Sequence, residues 1–152
     1  MTPCKRVRLT GTIRVPLPPT DALTLFTPTG ERAWVPGWEP RFPSPVADDT
    51  EPGTVFQTDH AGRRSTWTVA HRDAGTTIAY VTTTPGNRAG LVTVTCAPWE
   101  DEMTLATVSY DLTALAPAAN ADLDRFAAHY PSFLEQWQQA IGQAITASGN
   151  PA

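Results

Sequence analysis

The chain has 152 residues, 41% of them hydrophobic and 17% charged, with a formal net charge of -4 and a pI of about 5.2. That length and apolar fraction suit a single domain, residues 1–152, with a real core, and they argue against disorder. The acidic balance argues against a nucleic-acid track, since the one basic cluster, Lys5-Arg6-Arg8, opens a strand and reads as a solvated edge.

Arg6 to Val15 alternates, with Val7, Leu9, Gly11, Ile13 and Val15 on one face, and predicts a first strand. Pro16, Pro18 and Pro19 stop it. Thr20 or Asp21 is then expected to N-cap a short helix through Leu23 and Phe26, and Glu31 to Val35 gives a further turn before Pro36-Gly37. From Trp38 to Pro52 the prolines and acidic residues carry no period, which predicts a long irregular excursion of the functional or mobile kind.

Hairpins follow. Strands are expected over Gly53–His60, Arg64–Arg72, Thr76–Thr84, Ala89–Ala97 and Met103–Leu115, with turns at Ala61-Gly62, Asp73-Ala74-Gly75, Pro85-Gly86-Asn87 and Pro98–Asp101. Thr, Val, Tyr and Trp dominate them, as a pleated, half-buried surface requires. The turns predict Phe56 opposite Trp67, Val69 opposite Tyr80, His71 opposite Ile78, Tyr80 near Val94 and Val92 near Val108. One face then collects Phe56, Trp67, Val69, Ile78, Tyr80, Val92, Val94, Cys96, Val108 and Tyr110; Gln57, Asp59, Thr66, Thr68, Thr93, Thr95 and Ser109 fall on the other.

From about Ala121 to Ala147, Leu123, Phe126, Ala127, Tyr130, Leu134, Trp137, Ile141 and Ile145 recur at steps of three or four and form one apolar helical stripe. Its natural partner is the concave face of the sheet. Pro131 interrupts the pattern and predicts a kink or a restart, with Ser132 to Glu135 resembling a capping sequence.

Cys4 and Cys96 are the only cysteines, and their spacing suggests neither a disulfide framework nor a metal site. No cofactor is expected. No apolar run approaches membrane-spanning length and no signal-peptide core is visible, so a cytoplasmic location without membrane insertion is expected.

Glu31-Arg32-Ala33-Trp34-Val35-Pro36-Gly37-Trp38, Gly53-Thr54-Val55-Phe56, Trp67-Thr68-Val69, Tyr80-Val81 with Thr84-Pro85-Gly86, Tyr110–Leu115 and Trp137 give the chain a likeness over nearly its whole length. It resembles the SRPBCC superfamily (START-like, birch-pollen-allergen-like), in the group of polyketide cyclase/dehydrase and lipid-transport proteins. The resemblance implies an α+β helix-grip fold: a curved antiparallel sheet wrapped around a long C-terminal helix, with two short helices after the first strand. It also implies hydrophobic-ligand binding, polyketide cyclisation or lipid transport.

A small, mostly hydrophobic molecule is therefore the expected partner, held between sheet and helix, with no nucleic acid. Phe56, Trp67, Tyr80, Val92, Val94, Val108 and Tyr110 would form walls, Trp34 and Trp38 a lid, and Phe126, Tyr130, Leu134 and Trp137 the floor. Two rivals stay open: a cyclase/dehydratase-like enzyme with a tyrosine or histidine as acid-base group, and a partner-binding or homodimeric protein whose core is filled. Glu31 and Arg32 read as an ion pair or cap, or as polar anchors at the cavity mouth. His60 and His71 have inward parity at strand ends, and Arg88, following Asn87 in a hairpin, reads as solvated.

Overall fold

The structure, a computed structural model, describes residues 2–148. Its strands are β1 (Arg6–Val15), β2 (Val55–His60), β3 (Arg63–Asp73), β4 (Thr77–Thr84), β5 (Arg88–Trp99) and β6 (Met103–Ala114). Its helices are α1 (Pro19–Thr24) and α2 (Asn120–Ser148), with 3-10 turns at Gly30–Ala33 and Pro117–Ala119. All six strands join one curved antiparallel sheet in the order β1-β6-β5-β4-β3-β2. This is the helix-grip arrangement.

The two faces separate as the alternation requires. Phe56, Val69, Ile78, Tyr80, Val92, Val94, Cys96 and Val108 are buried, with Trp67 and Tyr110 half-buried among them. Hydroxyls and amides pair across the outer face, as in Gln57 with Thr66, Thr77 with Thr95 and Thr10 with Ser109. The basic start of β1 is spent on ion pairs, Lys5 with Asp124 at 2.8 Å and Arg6 with Asp111 at 2.7 Å.

Phe56 lies opposite Trp67, and Val69 opposite Tyr80, as the turns predict. Further on the register differs by two residues. Tyr80 faces Val92 rather than Val94, and Val108 faces Val94 rather than Val92, because the β4–β5 and β5–β6 turns fall differently from expectation. A slip of two preserves the faces. A slip of one does not: β3 bulges between Val69 and His71, so His71 pairs with Ala79 instead of Ile78 and turns to the outer face, exposed beside Asp73.

Two local expectations also change. Helix α1 begins at Pro19 after an extended Pro18, without a side-chain cap from Thr20 or Asp21; proline at the first position needs no capped N–H. Helix α2 runs as one element through Pro131, so no restart occurs there. Its start is tied to the N-terminal strand by Asn120, whose Oδ1 accepts from Lys5 N at 2.8 Å and whose Nδ2 donates to the Pro3 carbonyl at 3.0 Å.

The helix covers only part of the sheet. It packs on β1 and β6, where Gly11 makes room: a Cβ there would lie 2.4 Å from Leu134 Cδ1. Tyr130 Oη donates to the Val108 carbonyl at 2.6 Å and Gln138 Oε1 accepts from Arg14 N at 2.8 Å, binding helix to sheet. At the β2–β3 end the cover is instead the irregular segment. Trp38 meets Phe56 and Trp67 edge-on at 6.1 and 5.8 Å, and Phe42 meets Phe56 at 5.9 Å. Arg41 exchanges backbone hydrogen bonds with Gln57, which blunts the free edge of β2. Two covers at opposite ends leave the middle of the concave face open. Among the described residues no helix is long and apolar enough to cross a membrane.

Candidate functional site

Between the sheet, the 3-10 turn at Gly30–Ala33 and α2 lies an open space of about 640 Å³. Alternation supplies its sheet wall with Trp67, Tyr80, Thr82, Thr84, Val92, Val94, Tyr110 and Leu112. The helix adds Phe126, Phe133 and Trp137, and the segment after α1 adds Phe26, Glu31, Val35 and Trp38.

Seven of the residues expected to touch a ligand border this space: Trp38, Trp67, Tyr80, Val92, Val94, Tyr110 and Phe126, together with the floor residue Trp137. Five do not. Trp34 is buried edge-on against Trp137 at 5.0 Å, its indole N–H donating to the Leu25 carbonyl at 2.8 Å. Phe56 lies behind Trp67, stacked at 5.9 Å, and Val108 is sealed under the helix. Tyr130 and Leu134 point to β1.

The aromatic rings are fixed by their polar ends. Trp38 Nε1 donates to the Pro28 carbonyl at 2.7 Å, Trp67 Nε1 to Thr58 Oγ1 at 3.0 Å, and Tyr80 Oη to the Phe26 carbonyl at 2.6 Å. Burial, with Glu31 and Asp49 nearby, raises the Tyr80 phenol above its ordinary range, as suits a permanent donor.

Two acidic groups are not spent this way. The Glu31 carboxyl has no hydrogen-bond partner among the described residues, while Arg32 beside it turns outward to Glu39 at 3.3 Å. Of the readings open for this pair, no ion pair between Glu31 and Arg32 forms among the described residues, and only Glu31 borders the cavity. Burial alone pushes Glu31 well above the usual carboxylate range. The residue is half-buried and borders the cavity. The Tyr110 hydroxyl likewise has no protein partner among the described residues and borders the same space. Burial raises it first, then Glu31 and Tyr130, with Arg88 opposing.

Arg88 is half-buried in the cavity wall, with its guanidinium 5.8 Å from the Phe126 ring centre, rather than solvated at a hairpin. His60 stands exposed at the mouth, with Asp59 and Arg63. Sequence reasoning also missed Phe133, Thr82 and Thr84, although each carried a signal. Phe133 precedes Trp137 by one helical turn, and both threonines share the inward parity of Tyr80. Among the described residues no group of three or more His, Cys, Asp or Glu side chains is placed to hold a metal. Cys96 is buried and its thiol is pushed up to about 11 by burial, which leaves it a poor nucleophile.

A curved sheet gripping a terminal helix around a lined cavity defines a START-like protein of the SRPBCC superfamily. The family of polyketide cyclase / dehydrase and lipid transport proteins matches residues 6–135, and the chain belongs to it. No curated protein matches the sequence at a significant level. Solved structures share the fold at low identity. The Mll3558 protein of Rhizobium loti superposes with a TM-score of 0.63 at 18% identity, covering 90% of this chain and 98% of that one. Norcoclaurine synthase of Thalictrum flavum, in complex with dopamine and hydroxybenzaldehyde, reaches 0.66 at 11% identity, covering 98% and 90%. DynU16, a protein of the dynemicin biosynthetic locus, reaches 0.59 at 15%, with 96% of this chain aligned to 48% of that one.

Proposed function

We propose that this protein binds a small, mostly apolar, ring-bearing molecule in the space between sheet and helix. The observation that carries the reading is the cavity itself, about 640 Å³ and walled by Trp38, Trp67, Tyr110, Phe126, Phe133 and Trp137. That size lies within the usual range for small-molecule sites, and offset or edge-on stacking on fixed aromatic rings suits a flat ligand. An open interior speaks against a protein whose core is filled by its own side chains. The complex of norcoclaurine synthase with two small aromatic molecules is in keeping with such a use of this fold.

A saturable titration with the neutral probe N-phenyl-1-naphthylamine tests this. Val92 stands between Tyr80 and Tyr110, both on the cavity wall. Val92→Trp should narrow the space between Tyr80 and Tyr110 and weaken uptake while the protein stays folded. Wild type that takes up no probe, or a folded Val92→Trp that takes it up as well as wild type, overturns the reading.

Glu31 favours a second reading, an enzyme of the cyclase/dehydratase type. A carboxyl whose hold on its proton is strengthened by burial beside an apolar cavity is equipped to donate that proton to a ligand carbonyl or leaving hydroxyl, with Tyr110 as a neighbouring donor. Native mass spectrometry of protein from its own host would identify a co-purified ligand. Turnover of that ligand by wild type and not by Glu31→Gln, at unchanged affinity, supports the enzyme; binding without turnover in either leaves the binder.

A further inference from the structure

Eight of the eleven Lys and Arg side chains lie within ion-pair distance of a carboxylate. The three without such a partner among the described residues are Arg14, Arg63 and Arg88. Arg14 rests over the Trp99 ring at 5.8 Å, far from any cavity role. The other two both border the central cavity. We propose that Arg88, with Arg63 beside it, is an anion seat in the cavity wall, and that the ligand is an amphiphilic carboxylic acid. Its apolar body would lie among the aromatic rings and its carboxylate on the half-buried Arg88 guanidinium, with exposed Arg63 at the mouth adding its charge. This assignment rests on the ligand-binding reading above and names the ligand class.

Arg88 is built to hold one orientation. Its Nε donates to Asn87 Oδ1 at 2.6 Å, and Asn87 Nδ2 donates to Asp122 Oδ2 at 3.3 Å. Phe126 supports the guanidinium from below. Nε is thus occupied, and the terminal nitrogens make no hydrogen bond among the described residues. None of the three carboxylates on the lining lies within ion-pair distance of Arg88, and Asp122 acts on it only through its field. Asp59 is taken by Arg41 and Arg64, Asp122 by Arg125 and Asn87, and burial favours the uncharged form of Glu31. Burial, and after it the charge of Arg63, act to discharge Arg88, while Asp122 and Tyr110 oppose them. A half-buried cation in that position gains from any anion that can reach it. The planar fork suits a carboxylate, and one desolvated guanidinium suits a single negative charge better than a phosphate dianion.

The test compares 2-naphthoate, its uncharged methyl ester and 2-naphthyl phosphate as displacers of N-phenyl-1-naphthylamine. Wild type should bind the acid about tenfold or more tightly than the ester, and Arg88→Gln should remove that preference, weakening the acid far more than the ester or the probe. An acid no better than its ester in wild type, or an unchanged preference in Arg88→Gln, overturns the anion seat and leaves the apolar cavity standing. A naphthyl phosphate about tenfold tighter than the acid overturns the carboxylate assignment. Wild type that takes up no probe overturns both readings. Should Arg88→Gln not fold, Arg63→Gln and salt carry the test: the acid-to-ester preference of wild type must shrink with ionic strength and in Arg63→Gln, and a preference indifferent to both refutes the seat.

Discussion

Replacing Glu31 by Gln isolates a single proton. In the unfolded chain this carboxyl titrates in the ordinary glutamate range; in the fold, burial raises it well above. The native state therefore holds the proton more tightly than the unfolded state does. Below the ordinary value both states are protonated and Glu31 imposes no electrostatic penalty. As pH rises from there towards the raised native value, stability is lost, because the unfolded chain ionises freely and the folded one does not. Glutamine, of nearly the same shape, does not titrate. The stability of wild type relative to Glu31→Gln should thus fall with pH by up to about 1.4 kcal/mol per unit, for as long as the native carboxyl keeps its proton. For a domain of this size that is about 3–6 °C of relative melting temperature per pH unit. Urea and thermal unfolding of both proteins from about pH 4 to about pH 8 measure it. Asp48, held low by Thr50 and then Arg72, and Asp59 and Asp111, held low by Arg64 and Arg6, titrate alike in both proteins and cancel in the difference. Parallel stability curves would mean that Glu31 is hydrated and charged, and would remove the acid from the cavity's chemistry.

Other substitutions probe the frame around the cavity. Trp137 packs on Trp34 at 5.0 Å and Phe133 at 4.8 Å but borders open space on another side. Trp137→Ala should cost about 3 kcal/mol, the low end for a large aromatic, in chemical denaturation. A Cβ on Gly90 would lie 1.8 Å from the Asp111 carbonyl oxygen of the next strand, so Gly90→Ala should fail to give a cooperative unfolding transition. Tyr80→Phe should cost about 1–2 kcal/mol by stripping the Phe26 carbonyl of its donor, whereas Tyr110→Phe should leave the denaturation midpoint near wild type. Asp48 accepts from Thr50 and Arg72 and is lowered to about 2, so the clasp it makes persists above the ordinary aspartate value. Amides around Asp48–Thr50 should then lose exchange protection as pH falls from that value towards about 2, and Asp48→Asn should show the loss already at neutral pH.

How much of this was legible from the residues depends on what kind of error a turn permits. Misplacing the β4–β5 register by two residues left Tyr80, Val92 and Val94 on the correct face, because side chains alternate with period two. The bulge before His71 shifted it by one and reversed the face, and nothing in the sequence Val69-Ala70-His71 announces a bulge. Parity also cannot distinguish an inward residue that meets a cavity from one that meets another side chain. Phe56 and Trp67 are paired neighbours on one face, yet only Trp67 borders the open space, because aperiodic Trp38 and Phe42 close over Phe56. The place of Arg88 in the wall is equally hidden from local composition: its hairpin ends beneath the first turns of α2, a long-range contact.

The chain's three tyrosines divide the work of the fold from the work of the site. Tyr130 and Tyr80 spend their hydroxyls on backbone carbonyls, at 2.6 Å each, and so fasten α2 to β6 and the segment after α1 to β4. Tyr110, between them on β6, meets the rings of Phe126, Phe133 and Trp137, yet its hydroxyl is given to nothing in the described structure. Glu31 and the terminal nitrogens of Arg88 share that condition. None of the three is a buried group without a partner: each reaches the open space, where it is accessible. Three polar groups of different chemistry left unpaired around one space, in a wall otherwise held by satisfied hydrogen bonds, are the arrangement expected where a ligand supplies the missing partners.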